Sequence, residues 1–219
     1  GPNIPLESLS RTKLSYRGSE AGAPWRAAAQ ARIESHRKAD LVVEVSDSAG
    51  KPLSGVEVRL AMTRHRFPFG TAVTPDLLKG GGSDNKKYQD ELVRLFNTAV
   101  IENDLKWVAW DGDWGPSRGR QAALESLDWL SSKGIRTRGH CLVWPSWGNL
   151  PKGLKSLEKD KKALAERVRS HVQEEAGAMK GRVFQWDVMN EPFSEHDLMD
   201  ILGKDAMADW FKEAKKADP

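Results

Sequence analysis

Strand-like and helix-like segments alternate along the chain from Phe67 onward, and this alternation restricts the fold more than any other feature of the sequence. Four short apolar runs each precede a segment with helical apolar spacing. The predicted strands are residues 68–73, 98–101, 135–143 and 183–189, and the predicted helices are residues 88–96, 121–130, 157–172 and 205–216. Four consecutive strand–helix units predict an α/β fold with a parallel sheet and helices packed outside it.

The number of units leaves two parallel architectures open. Four units could form an open doubly wound sheet or part of a (β/α)8 TIM barrel. The first strand–helix junction carries no G-x-G-x-x-G sequence or phosphate loop, and nucleotide binding therefore has little support. A barrel takes about 250 residues, whereas residues 67–219 number 219 − 66 = 153. If the fold is a barrel, residues 67–219 form about its first half.

Residues 1–66 have a different pattern and predict a separate N-terminal region. The first 25 residues are polar, with scattered Gly, Ser and Pro, and predict an extended arm. Residues 27–37 are alanine-rich and predict a helix. Two alternating segments, residues 41–45 and 56–60, flank turn-forming residues and predict a β-hairpin. We expect this small helix and hairpin to precede the barrel, with the hairpin as an accessory β-element that packs against it. Half of a carbohydrate-binding module is the alternative for the hairpin.

The charge pattern and the hydropathy argue against two classes of partner. Lys and Arg total 34 and Asp and Glu total 31, and the two signs are interspersed. Because a nucleic-acid site needs a clustered basic surface, we expect no nucleic-acid partner. No run of 18 apolar residues is present, and we expect no membrane span. The single cysteine, Cys141, lies in an apolar run and indicates a buried, inert thiol.

Polar and aromatic side chains occur where the predicted strands end. They are Glu102, Asn103 and Lys106 after the second strand, His140 and Trp144 in and after the third, and Asn190 and Glu191 after the fourth. Because the carboxyl ends of barrel strands meet at one face, we expect these side chains to share a cleft. Carboxylates, amides and flat indole rings suit a carbohydrate site, since they bond hydroxyls and stack on sugar C–H faces. A plain structural alternative is that Asn190-Glu191 only caps the next helix.

The same residues give no support to metal or serine chemistry. No Asp, His and Glu stand at metal-ligand spacing, and no serine occupies a nucleophile elbow. We therefore expect neither a metal nor a cofactor at this cleft.

Short sequences in this chain resemble the N-terminal half of glycoside hydrolase family 10, the family of endo-1,4-β-xylanases. Residues 69–73 resemble its first strand, 102–107 its E-N-x-x-K-W, 138–144 its R-G-H-x-L-V-W, 186–191 its W-D-V-x-N-E and 217–219 its A-D-P. They occur in the family's order across residues 67–219. The resemblance implies a (β/α)8 TIM barrel of which this chain holds about the first four units.

The resemblance implies a catalytic role for the last of these motifs. Glu191 matches the general acid/base of the family, and Asn190 matches the residue that bonds the 2-hydroxyl of the sugar being cleaved. The family retains anomeric configuration, which requires a second carboxylate about 5–5.5 Å away as nucleophile. In the family that nucleophile ends strand seven, beyond Pro219. We therefore expect this chain alone to be inactive until the missing C-terminal half of the barrel supplies the nucleophile.

The resemblance also implies substrate-binding roles for the other strand-end residues. Lys106, His140 and Trp144 match groups that line the subsite of the sugar being cleaved. Glu102 and Asn103 match residues that bind the next sugar toward the non-reducing end. The implied substrate is β-1,4-xylan of plant cell walls, and the implied location is secreted or periplasmic.

One departure from the family follows the L-V-W sequence. The family usually continues H-S-Q, whereas this chain has Pro145-Ser146-Trp147. The glutamine contact to the second sugar is therefore replaced by an indole, and the exact glycan stays open. A related retaining β-glycanase of another specificity and a non-catalytic carbohydrate-binding half-barrel are the alternatives to an endo-xylanase.

Overall fold

The computed structural model describes residues 15–219, and the chain divides between Leu60 and Ala61 into two units. Residues 1–14, which make up most of the predicted N-terminal arm, lie outside the described residues. In the first unit, helix α1 spans Pro24–Arg37 and confirms the predicted helix. Pro24 at the first helical turn suits a helix start, because its φ is already helical and its missing N–H would have had no partner there.

The predicted hairpin is reduced to its turn. Residues 41–45 and 56–60 form no strand, and one isolated antiparallel bridge joins Ser46 to Pro52. The Asp47 carboxylate holds the turn by accepting hydrogen bonds from the backbone N–H groups of Ala49 and Lys51, both at 2.9 Å. Nearly all residues of the two flanking segments are exposed, so their alternating apolar side chains have no core to pack against. A two-stranded ribbon without such a face is marginal in water.

Four parallel strands form the sheet of the second unit, in the order β1-β2-β3-β4. The strands are β1 (Gly70–Val73), β2 (Thr98–Ile101), β3 (Arg136–Val143) and β4 (Gln185–Met189). Each strand pairs with its sequence neighbour, so that Gly70 lies level with Thr98 and Thr98 with Arg136. Successive β/α units of a barrel give this order, and the predicted parallel α/β fold is confirmed.

Helices connect the strands and cover the sheet. The helices of the second unit are α2 (Pro75–Lys79), α3 (Ser83–Leu95), α4 (Trp107–Trp110), α5 (Arg120–Ser132), α6 (Lys161–Ala178), α7 (Asp197–Leu202) and α8 (Ala206–Ala217). The four predicted helices correspond to α3, α5, α6 and α8. The three short helices lie in the loops that follow β1, β2 and β4, where a single turn of helix leaves too few residues for a periodic signal.

Helix α6 shows how the sequence fixes the packing. The Asp160 carboxylate caps its first turn by accepting a hydrogen bond from Ala163 N at 3.0 Å. Leu164, Val168 and Val172 recur every four residues and are all fully buried. This stripe lies in a hydrophobic cluster shared with the end of β3 and with α8. A single buried leucine of this kind typically contributes about 2–5 kcal/mol against truncation to alanine.

Strand β4 differs from its prediction as a strand buried on both faces. In β4 only Val188 is buried, whereas Gln185 is exposed and Trp186 is partly exposed. The physical reason is position, because β4 is an edge of the four-stranded sheet and has a neighbour on one side only. An apolar run indicates that a strand can be buried, but whether it is buried depends on the elements that pack against it.

The glycine of the R-G-H sequence is required by close packing between β3 and β4. Gly139 lies level with Trp186 across the two strands. A Cβ atom at position 139 would lie 2.3 Å from Cε3 of the Trp186 ring. Any larger residue would displace this indole and, with it, the register that sets the ends of both strands.

Candidate active site

The carboxyl ends of the strands hold the predicted site residues at one edge of the sheet. The backbone N–H of Glu102 donates to the carbonyl of Val73 at 3.0 Å, and the N–H of Asn190 donates to the carbonyl of Val143 at 2.9 Å. Both bonds continue the strand ladders past the last paired residues. Glu102 and Asn190 are therefore fixed by main-chain bonds at the positions where parallel strands present their side chains to a cleft.

Lys106 joins the loop after β2 to the residue that follows β3. Its Nζ donates a 2.9 Å hydrogen bond to Oδ1 of Asn103 and lies 4.9 Å from the ring centroid of Trp144. All three residues are partly buried. A partly desolvated ammonium over an indole face is a favourable cation–π contact. The indole Nε1 of Trp144 is buried and makes no hydrogen bond within residues 15–219.

His140 is held by a carboxylate on the neighbouring strand. Its Nδ1 lies 2.9 Å from Oδ2 of Asp187, with which it is level across β3 and β4. The other oxygen of Asp187 accepts hydrogen bonds from the Arg138 guanidinium, including one of 3.0 Å from Nε. Because a carboxylate only accepts, Nδ1 carries the proton in this contact. Nε2 of His140 is then left as the nitrogen that can meet a hydroxyl.

Glu191 stands at the sharp turn that ends β4. Its φ is +50°, in the left-handed region that non-glycine residues rarely adopt. Its carbonyl accepts hydrogen bonds from Ser194 N at 3.2 Å and Glu195 N at 2.9 Å, which fold the following loop back. Its side chain is exposed, whereas that of Asn190 is partly buried. This backbone conformation costs about 1 kcal/mol or more, and such outliers concentrate at functional sites.

The loops that follow β3 and β4 are tied together. The backbone N–H of Trp147 donates to Asp197 Oδ2 at 2.8 Å, and the N–H of Leu198 donates to the carbonyl of Pro145 at 3.0 Å. The Trp147 side chain is partly buried against the hydrophobic cluster of α6 and α8, and Lys155 Nζ lies 5.9 Å from its ring. Residues 145–147, where the sequence departs from H-S-Q, therefore form an ordered and packed loop.

Sequence reasoning missed two acidic residues that organise this region. Asp187 orients His140, and its signal was a charged residue inside an otherwise apolar strand. Asp104 is fully buried; its Oδ1 accepts from Gly119 N at 2.9 Å, and Arg118 lies 3.6 Å from Oδ2. Burial, the largest cause, raises the pKa of Asp104. Asp104 thereby ties the loop after β2 to the start of α5.

The structure brings the predicted site residues into three groups at adjoining strand ends. Asn103, Lys106 and Trp144 form one, His140 with Asp187 a second, and the Asn190-Glu191 turn the third. Glu102 lies beside the first group and is exposed.

Within residues 15–219, no cluster of three or more His, Cys, Asp or Glu side chains could hold a metal ion. Cys141 is fully buried, and burial raises the pKa of its thiol to about 12, as expected for an inert cysteine.

The described helices include none that is both long and apolar enough to cross a membrane.

Comparison with known sequences identifies the family of this chain. The sequence profile of glycosyl hydrolase family 10 matches residues 58–219. Anti-sigma-I factor RsgI6 of Acetivibrio thermocellus is 31% identical over 202 residues, which are 90% of this chain and 25% of that protein. Endo-1,4-beta-xylanase 1 of Arabidopsis thaliana is 30% identical over 183 residues, which are 84% of this chain and 18% of that protein.

Comparison with solved structures agrees with the sequence comparison. Native xylanase 10B from Thermotoga maritima superposes with a TM-score of 0.60 at 28% identity, over 68% of this chain and 47% of that one. A GH10 endoxylanase from a sugarcane soil metagenome gives a TM-score of 0.60 at 29% identity, over 70% and 46%. The chain spans less than half the length of these relatives. The chain belongs to glycosyl hydrolase family 10, and its second unit has the fold of the family's N-terminal half-barrel.

Proposed function

We propose that this chain forms the first half of a retaining endo-β-1,4-xylanase and contributes its general acid/base, Glu191. The observation that carries the proposal is the strand-end arrangement of Asn190-Glu191 beside the Lys106–Trp144 pair, in a chain of family 10. A carboxylate, an amide, an ammonium and an indole at adjoining strand ends provide the groups that a sugar ring needs for bonding and stacking. The nucleophile is provided by the part of the barrel that contains strand seven.

In the first step of this mechanism, Glu191 as an acid donates its proton to the glycosidic oxygen while the bond from that oxygen to the anomeric carbon breaks. The nucleophilic carboxylate forms an ester bond to the anomeric carbon from the opposite face. The aglycone leaves as an alcohol, and the sugar stays bound as a glycosyl-enzyme. The exposed position of the Glu191 side chain in the described residues leaves it open toward such a substrate.

In the second step, Glu191 is a carboxylate and takes a proton from a water molecule. The water oxygen attacks the anomeric carbon, and the ester bond to the nucleophile breaks. Two inversions give net retention. The cycle restores the protonated Glu191 and the ionised nucleophile.

The other strand-end residues bind the substrate in this proposal. Asn190 bonds the 2-hydroxyl of the sugar being cleaved, and Lys106, His140 and Trp144 line its subsite. His140 can present Nε2 because Asp187 holds Nδ1. Asn103, bonded to Lys106 at 2.9 Å, and the exposed Glu102 bind the next sugar toward the non-reducing end.

The relatives support a substrate and a location. Relatives named endo-1,4-beta-xylanases support β-1,4-xylan as the substrate. Xylan is a polymer of plant cell walls, and an enzyme that degrades it acts outside the cytoplasm, so we propose a secreted or periplasmic location. The packed Trp147 loop, in place of the family's H-S-Q, is the feature that could broaden the choice of β-glycan.

A second candidate is a carbohydrate-binding module in a regulatory protein. The observation that favours it is the match to a protein named anti-sigma-I factor, which extends over 90% of the chain. Both candidate functions use the same cleft, and an assay for glycan hydrolysis distinguishes them. A binding module would hold xylo-oligosaccharides without releasing reducing ends.

The test measures release of reducing sugar from xylan, cellulose and mannan, with the complete barrel and with the 219-residue chain alone. We expect xylan to be the best substrate of the complete barrel, with the product's initial anomeric configuration retained in a proton NMR time course. The chain alone should release nothing. Hydrolysis by the chain alone would contradict the assignment of the nucleophile to the other half.

The same assay tests Glu191 directly. Glu191→Gln in the complete barrel should lower kcat on xylan by about 10²–10⁴-fold, the usual contribution of a general acid or base. Glu166→Gln, a change at an exposed glutamate of α6, is the matched control and should leave kcat unchanged. Undiminished hydrolysis by Glu191→Gln would refute its role.

A further inference from the structure

A buried histidine contacts the supports of both members of the Lys106–Trp144 pair. His171 lies in α6 and is fully buried. Its ring stacks on the indole of Trp107, with centroids 4.0 Å apart and planes within 3° of parallel. Its Nε2 donates to the carbonyl of Leu142 at 2.9 Å. One side chain therefore touches the residue that follows Lys106 and the strand that leads to Trp144.

The Trp107 indole is held at its ring face and at its edge. His171 covers one face, and the Arg167 guanidinium lies 5.0 Å from the ring centroid. The indole Nε1 donates to Asp111 Oδ2 at 2.9 Å, and Arg167 donates to the same oxygen at 2.7 Å. Trp107 begins helix α4, and Lys106 occupies the N-cap position of this helix. A fixed indole at 107 therefore fixes the backbone from which the Lys106 side chain extends.

The hydrogen bond from His171 to the Leu142 carbonyl of β3 fixes the backbone at Trp144, the other member of the pair, in the same way. Leu142 is the last residue but one of β3, and the next carbonyl, that of Val143, accepts a hydrogen bond from Asn190 N at 2.9 Å. The bond from His171 is thus one of the buried polar contacts that hold the end of β3. Trp144 is the residue that follows this end directly.

We propose that His171 is a positioning residue for the Lys106–Trp144 pair, acting through Trp107 on one side and Leu142 on the other. The interpretation of the Lys106–Trp144 pair as part of a sugar subsite rests on the proposed function. His171 itself is buried away from any substrate. Since the Lys106 ammonium must reach Asn103 while covering Trp144, a displacement of either support separates the groups. Misplacement of a binding group by about 1 Å can lower a rate about 10²-fold.

The protonation of the surroundings suits this role. Burial lowers the pKa of His171 to about 3, so that the ring is neutral at physiological pH and carries one N–H. The Leu142 carbonyl places that proton on Nε2. Glu175 Oε2 lies 3.1 Å from the same nitrogen, and burial raises the pKa of this carboxyl above its ordinary value. A neutral imidazole keeps its donor on Leu142 and its face on Trp107 over a wide pH range.

The first test follows Lys106 without using activity. Protons on the Lys106 side chain next to an indole face are shifted upfield by the ring current, and Lys106→Arg identifies their signals in the ¹³C-labelled 219-residue chain. His171→Ala removes both contacts and should abolish most of this shift. His171→Phe keeps an aromatic ring on Trp107 but loses the bond to Leu142, and it should reduce the shift in part.

The control is Val172→Ala, which removes buried volume from the same helix without touching either contact. It should destabilise the chain and leave the Lys106 shift at its wild-type value. If His171→Ala does not fold, His171→Phe decides. A folded variant at position 171 with the full wild-type shift would overturn the proposal.

The second test uses the complete barrel and a double-mutant cycle. His171→Phe should lower kcat/KM on xylo-oligosaccharides about tenfold in the wild-type background. It should have little further effect in a Lys106→Met background, because interacting residues are not additive. Full additivity would overturn the proposal. If the wild-type barrel cleaves no glycan, the proposed function fails while the NMR shift still decides the role of His171.

Discussion

The Lys106 ammonium lies 4.9 Å from the ring centroid of Trp144, although the two residues follow different strands. The contact joins the end of β2 to the end of β3, and the same ammonium bonds Asn103 at 2.9 Å. A cation at this position cannot relax into bulk water without leaving the indole. This contact brings the loop after β2 and the residue after β3 together into one surface.

Lys106→Met should weaken binding of the glycan while preserving the fold. The change keeps a long apolar side chain over Trp144 and removes a charge-assisted hydrogen bond, worth about 1.5–3 kcal/mol. We expect kcat/KM on xylotriose to fall about 10- to 100-fold in the complete barrel, and the free energy of unfolding to fall by about 1.5–3 kcal/mol because the bond to Asn103 is lost as well. Lys162→Met, at an exposed position of α6, is the control. Wild-type kinetics for Lys106→Met would exclude this lysine from the site.

Asp187→Asn should impair catalysis through His140. An asparagine can turn either its oxygen or its NH₂ group toward Nδ1, so the tautomer is no longer fixed, and the ion pair with Arg138 is lost. We expect the free energy of unfolding to fall by about 1–3 kcal/mol and kcat/KM to fall more than that loss of folded protein explains. Urea unfolding and steady-state kinetics on the same preparation separate the two effects. A variant with normal kinetics at full folding would contradict the role of Asp187.

Glu191→Gly should stabilise the protein while abolishing activity. Glycine adopts a φ of +50° without the steric cost that glutamate has there. We expect the free energy of unfolding to rise by about 0.5–1 kcal/mol, measured by urea titration, together with loss of xylan cleavage. The control is Ser194→Gly in the same loop. It measures how a glycine changes the free energy of unfolding at a position where the backbone is not left-handed. A large loss of stability in Glu191→Gly would show that the carboxylate holds the turn.

Glu175→Gln should stabilise the protein at neutral pH and lose that advantage in acid. Burial, with smaller contributions from Asp111 and Glu174, raises the pKa of the Glu175 carboxyl above its ordinary 4.5. The unfolded chain releases this proton near pH 4.5 and the folded chain keeps it to a higher pH. The stability of the wild type therefore falls as pH rises from 4.5 toward the folded pKa.

Glutamine has no proton to release, so the difference in free energy of unfolding between variant and wild type should grow from pH 4.5 to pH 8. Urea titrations at several pH values measure it, and Glu174→Gln, an exposed neighbour, is the control. A difference that stays constant with pH would mean that the folded state does not raise the pKa of the Glu175 carboxyl.

The predicted elements and the observed ones differ for reasons that lie outside the local sequence. The strands and the four long helices of the second unit carry periodic apolar patterns, and these were predictable. The segments at 41–45 and 56–60 alternate as well, but they form no ladder because no core covers them. Likewise β4 is apolar enough for burial on both faces, and its edge position leaves Trp186 partly exposed.

The candidate site divides in the same way. Glu191, Asn190 and Lys106 could be predicted because polar groups at strand ends interrupt apolar runs. Asp187 was overlooked because its role depends on the register that sets it level with His140. His171 gave no signal either, since a histidine in an amphipathic helix has the same spacing whether it faces water or an indole.

The sequence by itself determined the order of strands and helices, the polar groups that end each strand, and the family, because periodicity and short motifs are local properties of a chain. Only the tertiary structure decided which of these groups touch. The 4.9 Å contact between Lys106 and Trp144, the pairing of His140 with Asp187 and the stack of His171 on Trp107 join residues that are distant in sequence. Strand register and helix packing create those contacts, and no local pattern encodes them.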